Sequence, residues 1–157
     1  MGRRESAGIL AHRRGPRGVE VLVAHPGGPF WAGKDEGAWS IPKGELEPGE
    51  EPARAAAREF SEETGVRVDP EDLVDLGVVV LPSGKRIHGF AAAIDVDPDR
   101  IRSNTFELEW PPGSGVVRRF PEIDRVAWVD PASARRLLHP AQASFVDRLL
   151  ETLDRAG

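Results

Sequence analysis

The sequence predicts an α/β fold: a mixed β-sheet with helices packed on it. Three observations predict it. Short apolar runs bounded by Gly and Pro recur along the chain and read as strands. One alanine-rich stretch with helical periodicity, bracketed by Pro52 and Gly65, falls among them. The C-terminal segment carries Phe145, Val146, Leu149, Leu150 and Leu153 as one apolar helical stripe. At 157 residues the chain reads as one domain over 1–157, long enough to bury a core of its own.

In order, Ala7 to Ala11 and Val19 to Ala24 flank the turn-like RRGPRG and read as a strand pair. His25 to Ala38 is rich in Gly and Pro and reads as a long loop, a feature that tends to carry function. Trp39 to Ile41 reads as a short strand stopped by Pro42, and the helix follows at about residues 52–64. Leu73 to Leu81 and Ile87 to Val96 read as strands joined by the turn PSGK, with Asp97 to Arg100 as a turn. Thr105 to Trp110 alternates polar and apolar residues, so it reads as a half-buried strand, and PPGSG as a loop. Arg125 to Val129 is a last strand. Asp130 and Pro131 suit the N-cap and first turn of a short helix, and a final helix spans about Ala141 to Leu153.

Composition narrows the function classes. With 39% hydrophobic and 30% charged residues the chain is ordinary globular rather than disordered. A formal net charge of −5 argues against a nucleic-acid coat or an anionic-membrane binder, so neither partner is expected. The absence of cysteine excludes disulfides, thiolate metal sites and cysteine nucleophiles. No apolar run approaches the ~18 residues of a membrane helix, and the N-terminal MGRRESAGILAHRRG lacks a signal-peptide core. The expectation is a soluble cytoplasmic protein.

The stretch GELEPGEEPARAAAREFSEETGV, residues 44–66, carries the chemistry. With Glu59 as zero on the helical wheel, Glu63 lies near +40° and Glu62 near −60°. Ala53, Ala56, Ala57, Phe60 and Thr64 lie between about 60° and 160°, so a small apolar face docks while three carboxylates share another. Acids at i, i+3 and i+4 repel, and no lysine at i+4 relieves them. A solvated acidic face is the ordinary reading of such a helix. Convergence on one hard cation, Mg²⁺ or Mn²⁺, is the reading that explains the unrelieved charge.

These residues resemble the signature of the Nudix hydrolases: G, five residues, E, seven residues, R-E-U-x-E-E-x-G-U, with U bulky and apolar. Gly44, Glu50, Arg58, Glu59, Phe60, Glu62, Glu63, Gly65 and Val66 fill every fixed position, Phe60 being larger than the usual aliphatic. The resemblance implies a Nudix-type α/β/α sandwich and a pyrophosphohydrolase that cleaves a nucleoside diphosphate linked to a further group X. It implies Glu59, Glu63 and Glu62 as metal ligands, Glu62 alternatively as a base, with Gly44 lending its carbonyl. Arg58 would hold the acids in place, with Glu50 as its partner.

Outside the signature the family often takes one more acid from downstream. Glu122 is favoured, because PEIDRVAW is similar to a P-E-F-D-x-x-x-W stretch of bacterial RNA pyrophosphohydrolases; Glu107, Glu109 and Asp124 are the other candidates. WSIPKGE is similar to members acting on nucleoside and dinucleoside polyphosphates, which makes Lys43 a candidate phosphate contact. Trp31 and Trp39 are candidates for stacking on a base, although a buried core residue is the plainer reading of Trp39. Lys85, Arg86 and His88 follow the PSGK turn within reach of a phosphate, where a solvated turn is the plainer reading. The resemblance thus points to a small-molecule nucleotide substrate, a nucleoside or dinucleoside polyphosphate, with Mg²⁺ as cofactor and Mn²⁺ as substitute. Pro82 is the hint toward ADP-ribose or nucleotide-sugar cleavage instead, and a non-catalytic nucleotide-binding module is the reading from another class. Several members are dimers, so a homodimer is admitted, though no interface is legible.

Overall fold

The computed structural model describes residues 4–156. The charged leader at residues 1–3 and the last position of the expected 1–157 span lie outside the described residues.

Strands β1 (Glu5–Gly15) and β2 (Gly18–Pro26) form an antiparallel hairpin. β4 (Val74–Val80) and β5 (Arg86–Ala93) form a second, and β5 joins β1 in parallel, so the sheet is mixed. β8 (Ile123–Val129) closes the far edge, giving the order β4-β5-β1-β2-β8. β3 (Lys43–Glu45) pairs antiparallel with Ser6–Gly8 of β1, while β2 pairs with His12–Gly15. One edge of β1 is therefore shared: β2 leaves it, and the segment leading into β3 takes its place. Ser40 and Ala24 exchange hydrogen bonds at 2.7 and 2.9 Å where the strands diverge. That divergence is where the candidate site opens.

Side chains alternate across each strand and build two cores. On one face Ala7, Ile9, Ala11, Leu22 and Phe90 pack under α1 (Pro52–Thr64) through Ala55, Ala56 and Phe60. On the other face Leu10, Val21, Val23 and Ile87 meet Phe145, Val146 and Leu149 of α3 (Ala143–Ala156), with α2 (Pro131–Leu137) alongside. The result is the expected α/β/α arrangement. α1 forms here because its alanines bring it close to the sheet and Phe60, fully buried, contributes on the order of 1.5–3 kcal/mol of burial. Pro52 opens the helix, and Gly65 ends it at φ 78°, donating its N–H to the Ser61 carbonyl at 2.8 Å. Asp130 caps α2 by accepting from the Ser133 N–H at 2.7 Å.

Two elements differ from expectation. Trp39 to Ile41 makes only isolated bridges, from Ser40 to Ala24 and from Trp39 to Leu138. The next residue, Pro42, has no N–H to extend a ladder, and its carbonyl accepts from Ile9 N–H instead. Val117–Pro121 is a strand, β7, which pairs with β6 (Thr105–Glu109) as a separate two-stranded hairpin. Consecutive exposed arginines, Arg118 and Arg119, break the alternation that would have marked it. The last helix also begins at Ala143, after a single 3₁₀ turn at Pro140–Gln142.

Candidate active site

α1 carries its three carboxylates against the edge of β3. Glu59 sits over Gly44, where a Cβ would meet its carboxylate and push it from its present place. Arg58 stands behind them. Its guanidinium donates to both oxygens of Glu50 at 2.9 Å, to Glu59 Oε1 at 2.9 Å and to the Glu45 carbonyl at 3.1 Å, and reaches Glu62 Oε1 at 3.5 Å. A planar fork with five donors is the side chain that serves so many acceptors at once. Through it the Glu50 carboxyl is drawn down to about 2.

Glu63 is the opposite case. It is 4% exposed, and its Oε2 has no hydrogen-bond partner. Burial, followed by the charges of Glu59 and Glu122, pushes its carboxyl up to about 8. Glu59 is also raised, by burial first, although Arg58 pulls it down. Glu63, Glu122 and Lys43 line one small cleft with Pro26, Ser40 and Ile123, at the divergence of β1 and β2. The Lys43 ammonium is pushed below its usual range, by burial first and then by the charge of Lys85.

An unpartnered buried carboxylate oxygen with two further acids near it fits a hard divalent cation, which takes oxygen ligands and retains waters. Among the described residues, no three Asp, Glu, His or Cys side chains already stand grouped as a metal cage. Arg58 Nη1 reaches both Glu59 and Glu62, at 2.9 and 3.5 Å, and the Glu62 side chain is 42% exposed.

The other sequence candidates separate clearly. Glu122 is the downstream acid whose charge acts on both Glu59 and Glu63. Glu107 instead pairs with Arg119 at 3.5 Å, and Glu109 accepts from the Gly113 N–H at 2.6 Å, both on the separate hairpin. Asp124 is engaged by His25 at 2.9 Å. Trp39 is a correction: it is 5% exposed in the core, with its indole N–H on Asp35 at 3.2 Å, so its ring offers no face to a base. Trp31 is 42% exposed on the glycine-rich loop, beside Lys34. Lys85 lies in the turn after β4. His88 is bound to Asp75 at 2.8 Å and stacked on Phe90, and Arg86 leans to Glu5 at 3.7 Å. The pairing of buried His25 with exposed Asp124 had no signal in the sequence, since its members are 99 positions apart.

Among the described residues no helix is long and apolar enough to cross a membrane. A family model described as NUDIX domain matches residues 2–149. The chain is 40% identical over 121 residues to an octanoyltransferase of Myxococcus xanthus, covering 76% of this chain and 29% of that protein. It is 32% identical over 123 residues to a MutT-like protein of Streptomyces ambofaciens, covering 78% of this chain and 66% of the relative. The chain thus spans less than two thirds of either relative's length. An RNA pyrophosphohydrolase of Brucella ovis is 29% identical over 159 residues, with 85% and 84% covered. Among solved structures, a C. elegans Ap4A hydrolase binary complex aligns with a TM-score of 0.67 at 20% identity, covering 95% of this chain and 98% of that one. The NUDIX domain of Shewanella oneidensis NrtR, complexed with ADP ribose, gives 0.66 at 14%, covering 98% and 90%. At such identities the structures establish the fold.

Proposed function

The chain belongs to the NUDIX domain family, the hydrolases of phosphorus-containing anhydrides, and from that premise we propose that it cleaves the pyrophosphate bond of a nucleoside or dinucleoside polyphosphate with Mg²⁺, or Mn²⁺ in its place. The observation that carries the reading is the buried Glu63 carboxylate, with one oxygen unpartnered, sharing a cleft with Glu122 and Lys43. The relatives named RNA pyrophosphohydrolase support a polyphosphate end over a nucleotide sugar.

In this reading Glu59, Glu63, Glu122 and the Gly44 carbonyl would hold the cation, and Glu62, on the exposed side, would add an oxygen or act as a base. The cation supplies the positive charge that a carboxylate site lacks and acidifies the attacking water. Lys43 neutralises a phosphate oxygen from within the same cleft. Arg58 touches no substrate: it holds Glu59 and Glu62 against their mutual repulsion, with Glu50 as its counterweight. Trp31, exposed on the 27–38 loop, stacks on the base, and Lys85 meets the outer phosphates.

The test is phosphate release over ATP, diadenosine tetraphosphate, 5′-triphosphorylated RNA, ADP-ribose and nucleotide sugars with Mg²⁺, in wild type and Glu63→Gln. The expected result is strongest turnover of a nucleoside or dinucleoside polyphosphate, lost in the variant. Turnover confined to ADP-ribose or nucleotide sugars would replace the substrate reading. A wild type inert on every substrate would leave a nucleotide-binding module.

A further inference from the structure

His25 ends the regular part of β2 and is 1% exposed. Both its ring nitrogens face acceptors: Nδ1 lies 2.9 Å from Asp124 Oδ1, and Nε2 lies 2.7 Å from the Lys34 carbonyl. The ring therefore lies within hydrogen-bond distance of both partners at once. Its body is held by the edge of Trp39, with ring centroids 5.1 Å apart.

The two partners belong to different parts of the molecule. Asp124 lies at a β-bulge: His25 pairs with Arg125 and Pro26 pairs with Ile123, so Asp124 is the extra residue between them. The same bulge brings the Glu122 carbonyl to the Gly27 N–H at 3.0 Å, one residue from where the Glu122 side chain enters the cleft. Lys34 lies at the middle of the 27–38 loop, at the joint between two turns: the Lys34 N–H donates to the Trp31 carbonyl at 3.1 Å, and the Ala38 N–H to the Asp35 carbonyl at 3.0 Å. Asp35 is fastened beside it, accepting from Trp39 at 3.2 Å and Arg125 at 3.0 Å. The stretch before this joint carries Phe30 and Trp31, which are 55% and 42% exposed.

We infer that His25 is a positioning residue for substrate selection: one ring straps the loop that presents Trp31 to the bulge that presents Glu122. The inference rests on the reaction proposed above. The strap sets the separation between the group that receives the base and the acid that serves the pyrophosphate. It acts on binding of X rather than on the bond being broken.

Three variants at one position separate this from a plain core role. An asparagine amide nitrogen falls where Nδ1 stands and keeps the Asp124 half. A glutamine amide reaches where Nε2 stands and keeps the Lys34 half. Phenylalanine keeps the ring and loses both. Measure amide hydrogen exchange of residues 31–38, and KM and kcat for ATP and diadenosine tetraphosphate with Mg²⁺. His25→Asn and His25→Phe are expected to speed loop exchange and raise KM by ~3- to 10-fold, the size of one net hydrogen bond. Their kcat is expected to stay within about twofold, and His25→Gln, which keeps the loop half and loses the bulge half, to leave loop exchange as in wild type yet raise KM as they do. Loop exchange unchanged in all three variants would overturn the inference. So would His25→Gln matching wild type in KM, or a lowered melting temperature with KM untouched. Should wild type turn over no substrate, the proposed reaction fails, and the exchange measurement alone decides whether the strap exists.

Discussion

The acids of α1 and the acids around the 27–38 loop are treated in opposite ways. Asp35 and Asp124 each have fixed partners, two donors on one and His25 on the other. Glu63 has an orphaned oxygen and a carboxyl pushed up to about 8, and Glu59 is raised as well. Satisfied carboxylates build structure, and unsatisfied ones keep capacity for something that arrives later. The acids of α1 are thus left in want of a partner, while those around the 27–38 loop are satisfied.

The two tryptophans give the sharpest way to break this comparison. Trp39→Ala removes a core side chain and is expected to destabilise the fold by about 3–5 kcal/mol, read by denaturant unfolding. Trp31→Ala is expected to leave stability within about 0.5 kcal/mol, because the residue stands half in solvent. Its effect belongs in KM. A Trp39 variant as stable as wild type would mean that the joint beneath the loop is not core-supported.

The next largest effect belongs to the unsatisfied acid. Glu63→Gln keeps the shape and removes the charge a cation needs, and is expected to lower kcat by ~10²–10³-fold. Equal activity in the two proteins would remove Glu63 from the site.

Arg58 tests whether the strain is held or merely present. Arg58→Lys keeps one charge but cannot serve Glu50 bidentately while reaching Glu59. A loss of about 1–2 kcal/mol is expected, less than for a fully buried pair because the guanidinium is 27% exposed. The Glu50 carboxyl, held near 2 in the fold against an ordinary 4.5, makes the sign explicit. Its contribution is present above about pH 4.5 and is lost as pH falls toward 2. The acid limb of wild-type unfolding should therefore be steeper there than that of Arg58→Lys.

The sequence made α1 legible because its chemistry and its packing both follow a local period: fixed spacing places Gly44 under Glu59 and Phe60 in the core. The strands of the main sheet were legible for the same reason. What remained hidden depends on contacts between distant residues. Strand and loop settings already set Trp39 apart from Trp31, but the Leu138 that bridges to Trp39 comes from far along the chain. Nothing local ties His25 to Asp124, and β7 exists only because β6 pairs with it. Glu107 and Glu109 stood as candidates behind Glu122, and it is the pairing of β6 with β7 that gives them partners on a separate hairpin.

The last expected effect joins strain to metal, and it fixes a direction. In the metal-free fold Glu63 ionises near pH 8, whereas in the unfolded chain it ionises near 4.5. A raised carboxyl contributes fully below about pH 4.5, and that contribution is lost as pH rises toward 8. The unfolded chain releases its proton first and gains relative to the fold. A divalent cation needs the carboxylate, so over this window binding displaces one proton, and apparent affinity rises by about tenfold per pH unit. The added stability from a fixed Mg²⁺ concentration should therefore grow by up to about 1.4 kcal/mol per unit and level off near pH 8. Melting temperatures with Mg²⁺ and with a chelator, from pH 5.5 to 8.5, measure it. A Mg²⁺ increment that is flat with pH, or equally steep in Glu63→Gln, would mean that the cation binds without the buried acid, and the contrast between strained and satisfied carboxylates would lose its purpose.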